Sequence, residues 1–553
     1  MVRLSFALLL LPSLCSTKTL HAQEPVDRLA IERIRTEAQR HTRVMDYAYV
    51  LTETHGPRFT GTPSFLAAGE WAMETLVEMG LREVHAEPID WGRGWAASHV
   101  SLHLVEPQAT PLIAVAVPWS PATDGSLEAE ALLVPLPEWE NAAAYEAFFG
   151  TWRGKLTGRI VLAMDSISQS VQAHDELLPR RVTDEQLRAI IRRQETRLRE
   201  QAAAADQADD GGDAPCADDS APADADEIFS SAQFFAYQDS LHRFLREEGV
   251  AAILYGSAHR GGTVHLNGPM RLQPAWLRHD ERVLPPPSVV VASEHYNRLL
   301  RLHLLGLPVR VRLELQTEFY RDPLSAFNVV AELPGSDKAD ELVMMGAHLD
   351  SWGLASGATD NAAGAAVVLE AMRILTALDL KPRRTIRLAL WGGHEGEGLG
   401  SRSHVQRHFD AGYPQTWLEE DEQGKRHEPR PAFDHLSVYF NLDYLAGRIR
   451  GVFLQENEGA RPIFEAWLAP FRADGADHLS GILAGGSDHM AFEDVGLPAF
   501  PFIQDGPDHP VHTHHSNMDV YDYLNEDDLK QSAMILASVA YHAAMREERI
   551  PRK

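Results

Sequence analysis

The sequence reads as an α/β protein whose mixed, mostly parallel sheet is flanked by helices, and three observations lead there. Apolar runs such as residues 342–345, 384–391 and 438–442 alternate with helical stretches such as 363–378, the pattern of strands buried between helices. Imidazole and carboxylate side chains recur just after those runs. The length, 553 residues, exceeds one ordinary domain and suggests two or three.

Residues 1–22 have the make-up of a secretory signal peptide: Arg3 gives a positive start, 5–14 an apolar stretch, and Leu20-His21-Ala22 a cleavage site. No later stretch offers about 20 uninterrupted apolar residues, so no membrane span is expected. Of the two cysteines, Cys15 leaves with the signal and Cys216 stays alone. An exported chain with no intrachain disulfide fits a bacterial periplasmic or secreted protein. The net charge of −28 argues against nucleic acid as a partner.

Further along, 158–163 and 250–255 read as strands, 234–248 as a helix, and 285–291 as the lead into another strand. Residues 184–201 form a charged helix rich in arginine (Arg188, Arg192, Arg193, Arg197, Arg199), expected to be solvated. From 201 to 227 the chain is Ala, Asp, Gly and Pro, with too little apolar surface to offset ordering entropy, and disorder is expected.

The densest chemistry follows. His348 ends one apolar run, and Asp360 lies twelve residues on, in Thr359-Asp360-Asn361-Ala362-Ala363-Gly364 before a helix. Glu395 follows the run 384–391, Asp443 follows 438–442, and Gly486-Ser487-Asp488-His489 and a cluster with His512, His514 and His515 come later. Ligands in open α/β sheets gather at the carboxyl ends of strands, so five of these side chains plausibly converge. No His-Glu-x-x-His helix and no Gly-x-Ser-x-Gly elbow is present. The glycines of 392–400 do not give Gly-x-Gly-x-x-Gly, and acidic residues there would repel a pyrophosphate.

Together, His348-Leu349-Asp350, Thr359-Asp360-Asn361, His394-Glu395-Gly396-Glu397, Asn441-Leu442-Asp443 and His515-Ser516-Asn517-Met518-Asp519 resemble the M28 family of metallopeptidases, in its carboxypeptidase Q-like branch. The resemblance implies the zinc exopeptidase fold and two zinc ions per chain. Asp360 would bridge them, with His348 and Asp443 on one ion and Glu395 and His515 on the other; His512 and His514 are alternatives to His515. Asp350 would orient His348 through its carboxylate. Asn361 has two readings, an unusual backbone geometry and an ordinary helix cap.

The family places a glutamate base where this chain has His394. Three readings follow: His394 serves as base, Glu397 swings in, or metal binds without efficient turnover. The resemblance also implies an inserted protease-associated (PA)-like β/α domain at 111–320, with 23–110 and 321–553 forming the peptidase domain. The expected function is an exported dinuclear zinc exopeptidase acting on small peptides as a dipeptidase, aminopeptidase or carboxypeptidase, with a homodimer possible. The alternative is a catalytically weak or inactive homologue that works as a metal-binding or protein-interaction module.

Overall fold

The computed structural model describes residues 24–137, 142–164, 181, 183–208, 231–266, 279, 284–321, 326–409, 431–443, 445–506 and 508–553. The signal segment, Cys216 and the acidic tract beyond Ala208 lie outside them. The described part contains no helix long and apolar enough to cross a membrane.

β1 (Arg82–Pro88) belongs to one sheet, after which the chain crosses to a second for β2 (Gly94–Glu106), β3 (Thr110–Leu112), β4 (Ala114–Ala116), β5 (Leu127–Leu133), β6 (Ile160–Leu162), β7 (Ala252–Gly256), β8 (Ser288–Val291) and β9 (Arg310–Tyr320). It returns for β10 (Phe327–Leu333), β11 (Lys338–His348), β12 (Arg384–Trp391), β13 (Leu436–Asn441), β14 (Arg448–Phe453), β15 (His478–Ser480) and β16 (Ala499–Asp505). The first sheet has the order β1-β10-β12-β11-β13-β16-β14-β15, the second β3-β2-β9-β5-β6-β7-β8-β4. In the first, β12, β11, β13 and β16 run parallel at the centre while β1 and β10 pair antiparallel at one side.

Parallel strands at a sheet centre are covered on both faces, which is why they read as unbroken apolar runs. Val343, Met344, Met345 and Ala347 of β11 are all fully buried. Helix Ala363–Ala377 and the C-terminal helix Glu526–Met545 cover one face, their Val367, Leu369, Ile374, Ile535 and Val539 joining the same core. Each such side chain contributes about 1.5–3 kcal/mol by burial. Helix Arg28–Arg40 adds Ile31 and Ile34 to that core.

Two expectations need adjusting. The division near residue 110 falls earlier, because β2 pairs with β9 along its whole length and already belongs to the second sheet. The arginine-rich helix extends over Asp184–Ala208, taking in the first eight residues assigned to the acidic tract, 201–208, and it is not freely solvated. Leu187 and Ile191, one turn apart, meet Phe453, Ala484 and Ile503, and Asp184 pairs with the buried Arg450.

Candidate metal centre

Strand register brings the site together. His348 at the end of β11 lies opposite Trp391 of β12, and Gly346 lies opposite Asn441 of β13. The carboxyl ends of three adjacent parallel strands therefore deliver His348, the 392–398 loop with Glu395, and Asp443. Asp360 comes from the turn before helix Ala363–Ala377, and His515 from the loop after β16. That turn is tight: a Cβ on Gly364 would collide with Asn361 Oδ1 and the Leu442 carbonyl.

The donor atoms form two triplets that share one carboxylate. His348 Nε2 lies 3.1 Å from Asp360 Oδ1 and 3.2 Å from Asp443 Oδ1. His515 Nε2 lies 3.2 Å from Asp360 Oδ2 and 3.2 Å from Glu395 Oε2. A tetrahedral zinc with ligands at about 2.0–2.1 Å has ligand–ligand edges of about 3.3 Å, the length of these four donor–donor distances, and His348, Asp360 and Glu395 lie close enough together to hold an ion. Asp360 Oδ2 is buried and has no hydrogen-bond partner although an imidazole nitrogen is 3.2 Å away.

A second tier of groups holds these ligands. His348 Nδ1 is 2.9 Å from the main-chain carbonyl of Asp350, whereas the Asp350 carboxylate is 3.6 Å away. The nearer acceptor for His348 is thus the backbone oxygen of Asp350, with its carboxylate beside it. Its carboxylate instead accepts the amides of His394 (3.2 Å) and Glu395 (3.3 Å) and the Thr60 hydroxyl (2.9 Å), pinning the loop that carries Glu395. Asp519 accepts from Thr359 N (2.6 Å), Thr359 Oγ1 (2.8 Å) and Asp360 N (3.1 Å). Arg58 is fully buried and donates to the carbonyls of Leu349, Leu51, Ser356 and Gly357. Both readings of Asn361 hold together: the Asp360–Asn361 peptide is cis, and Asn361 Oδ1 accepts from Gly364 N at 2.9 Å, as a cap does.

His394 stacks on His348 with ring centroids 3.9 Å apart and 10° between planes. Its Nδ1 is 2.9 Å from Asp488 Oδ2, and its Nε2 faces Asp443 Oδ2 at 3.5 Å. Asp488 is buried, and its other oxygen accepts from Ser401 Oγ at 2.6 Å. Sequence reasoning quoted Asp488 within its motif but gave it no role; only the fold brings it to His394. Glu397 is exposed, at φ 82°, and joins none of the converging groups among the described residues. Of the three late histidines, His515 sits in the cluster, His514 lies beside it with ring centroids 3.8 Å apart and converges with it on Asp360, and His512 faces Tyr523.

The electrostatics suit cations. Burial opposes charge on His515, but Glu395 and Asp360 outweigh it and push its pKa up to about 10. His348 is likewise buried, yet Asp443, Asp350 and Asp360 hold it well above its ordinary value. Burial would raise Asp360; the His348 and His515 imidazoles beside it instead hold it well below the usual carboxylate range. Glu395 is pushed up by burial and by the charge of Asp360. Burial and His348 oppose protonation of His394, while Asp488 and Asp443 win and raise it to about 9. Carboxylates that depend on protons from histidines are what a site built around positive charge presents when only its own groups are counted.

Residues 328–540 match the model of peptidase family M28, a span holding all five donors together with Asp350, His394 and Asp488. Carboxypeptidase Q from Homo sapiens is 25% identical over 268 residues, 48% of this chain and 51% of its own length. The chain thus spans about half the length of the curated relatives it matches. A peptidase M28 precursor from Shewanella amazonensis superposes with a TM-score of 0.62 over 95% of this chain and 98% of its own, at 21% identity. BSAP, a zinc aminopeptidase from Bacillus subtilis, superposes with a TM-score of 0.52 over 92% of this chain and 95% of its own, at 16% identity. At these identities the superpositions speak for the fold.

Proposed function

We propose that this chain, whose residues 328–540 belong to peptidase family M28, is an exported exopeptidase that uses two zinc ions to hydrolyse small peptides. The observation that carries the reading is the split of Asp360, one oxygen toward His348 and Asp443 and the other toward Glu395 and His515. His348, Asp360, Asp443, Glu395 and His515 would hold the zinc, which would supply a water of lowered pKa and polarise the scissile carbonyl.

The protein's own groups supply the rest. Asp488 holds Nδ1 of His394 and turns Nε2 toward Asp443 and the ligand cluster; with bound cations opposing its charge, the neutral ring would keep its proton on Nδ1 and offer Nε2 as acceptor. His394 is therefore the proton acceptor, taking the water's proton at Nε2 and returning it to the leaving amine. Asp350 keeps His394 and Glu395 in register by binding both amides. A recess no larger than a water molecule lies at the cluster itself, where Trp352, Leu354, Gly357 and Ser516 close around Asp360, Glu395 and His515. The sheet containing β2 to β9 would be a PA-like insert that narrows the approach. Export rests on the signal-like N-terminal residues 1–22.

The test is hydrolysis of a free dipeptide, an N-blocked dipeptide and a C-amidated dipeptide by the zinc-loaded protein. An exopeptidase cleaves the free dipeptide and loses one of the two blocked forms, which tells which terminus is read. Full zinc loading with no cleavage of any of the three would make the chain a metal-binding module instead.

A further inference from the structure

The loop carrying His515 is fastened on two sides by different parts of the protein. On the peptidase side Asp519 holds Thr359 and Asp360, and its carbonyl accepts from Gly357 N at 3.1 Å. On the other side the loop docks against residues 262–266, which follow β7 in the second sheet's domain. Asn517 makes three bonds there: its Oδ1 accepts from Val264 N at 2.7 Å, its N donates to Val264 O at 3.2 Å, and its Nδ2 donates to Gly262 O at 3.3 Å. Leu266 N donates to the carbonyl of His515 itself at 3.1 Å, and His265 forms a β-bridge with Ser516.

His515 needs such support. It is a non-glycine residue at φ 51°, in the left-handed region that an L side chain rarely adopts. A ligand in that conformation keeps its ring in place only while the flanking backbone is held. The flank before His515 is held by the loop's own bonds, His514 N to His509 O at 3.0 Å and Ser516 N to Thr513 O at 3.1 Å, whereas the residues just after it are fastened both to Thr359 and Asp360 through Asp519 and to the second domain through Asn517.

We propose that Asn517 is a positioning residue through which the second-sheet domain sets His515 for the ion it shares with Glu395 and Asp360. The second domain is then part of the metal centre rather than only a cover over it. This rests on the two-ion reading above. The ion served by His348 and Asp443 has no ligand on this loop, so it provides an internal control.

The experiment is a stepwise zinc titration of the full, zinc-stripped chain against a competing chelator, for wild type and Asn517→Ala. Loss of a direct partner of a metal-bound histidine typically weakens binding about 10–100-fold; Asn517 holds the backbone and not the ring, so a loss toward the lower end, about tenfold, should fall on one ion while the other stays within about twofold. The cobalt-loaded variant should show an altered absorption band for the weaker site alone. Should Asn517→Ala fail to fold, Asn517→Ser keeps a short polar side chain and should weaken the same ion by a smaller factor. Equal affinities in variant and wild type, or both ions weakened together, would overturn the proposal. A wild type that binds fewer than two zinc ions would remove the two-ion reading itself, and this is visible before any variant is compared.

Discussion

Replacing Asp488 with asparagine probes the proton acceptor without touching a metal ligand. The His394–Asp488 bond is 2.9 Å long, the aspartate is buried, and Ser401 holds its second oxygen. A buried hydrogen bond to an ionised group is worth about 1.5–3 kcal/mol, which converts to roughly 10- to 150-fold in rate at about 1.4 kcal/mol per decade. Asparagine has the same shape but can turn its amide toward Nδ1 and favour the wrong imidazole tautomer. The charge of Asp488 also raises the pKa of His394 against burial and His348. A base works in its unprotonated form, so Asp488→Asn should lower the plateau of kcat while moving the acid limb to lower pH. Bound zinc shifts the absolute position of both limbs downward, but not the direction of the difference. Dipeptide hydrolysis is measured against pH, with zinc content determined on the same samples. Unchanged kcat and an unmoved acid limb at full zinc occupancy would refute His394 as the proton acceptor.

Other outcomes follow from the same geometry. In the zinc-stripped protein His348 and His515 are protonated at pH 7, the first held well above its usual value and the second up to about 10. Zinc uptake should therefore release protons to a weakly buffered indicator and tighten as pH rises toward 10; uptake without release would contradict the assignment. Arg58→Ala strips partners from four carbonyls, three of them buried, and should cost about 3–5 kcal/mol of stability, read by denaturant unfolding. Glu397→Gln should leave turnover within about twofold, since that carboxylate stands apart from the cluster; a collapse of activity would make Glu397 the base.

The sequence made the peptidase half legible because its strands are buried on both faces. Residues 384–391 read as a strand and form β12, and 363–378 read as a helix that ends at Ala377. The ligand positions were legible for a related reason: each of His348, Glu395 and Asp443 lies at or just past the end of an apolar run, where a parallel sheet delivers its loops. What could not be read is what depends on distant pairing. Asp488 is 94 residues from His394, and no local pattern announces their contact. The mixed burial of β2 left nothing to tie it to β9, more than 200 residues away, so the domain division was set too late. The docking of helix Asp184–Ala208 was missed because two apolar residues, Leu187 and Ile191, among many charges look like a solvated helix until their partners are known.

The central claim is a dinuclear site built on Asp360, and zinc per chain in wild type and in Asp360→Ala tests it most directly. After extensive dialysis, elemental analysis should find about two zinc ions per folded wild-type chain and almost none in the variant, because each ion loses the ligand that both share. A wild type that holds a single zinc, or a folded Asp360→Ala protein that keeps both, would contradict it.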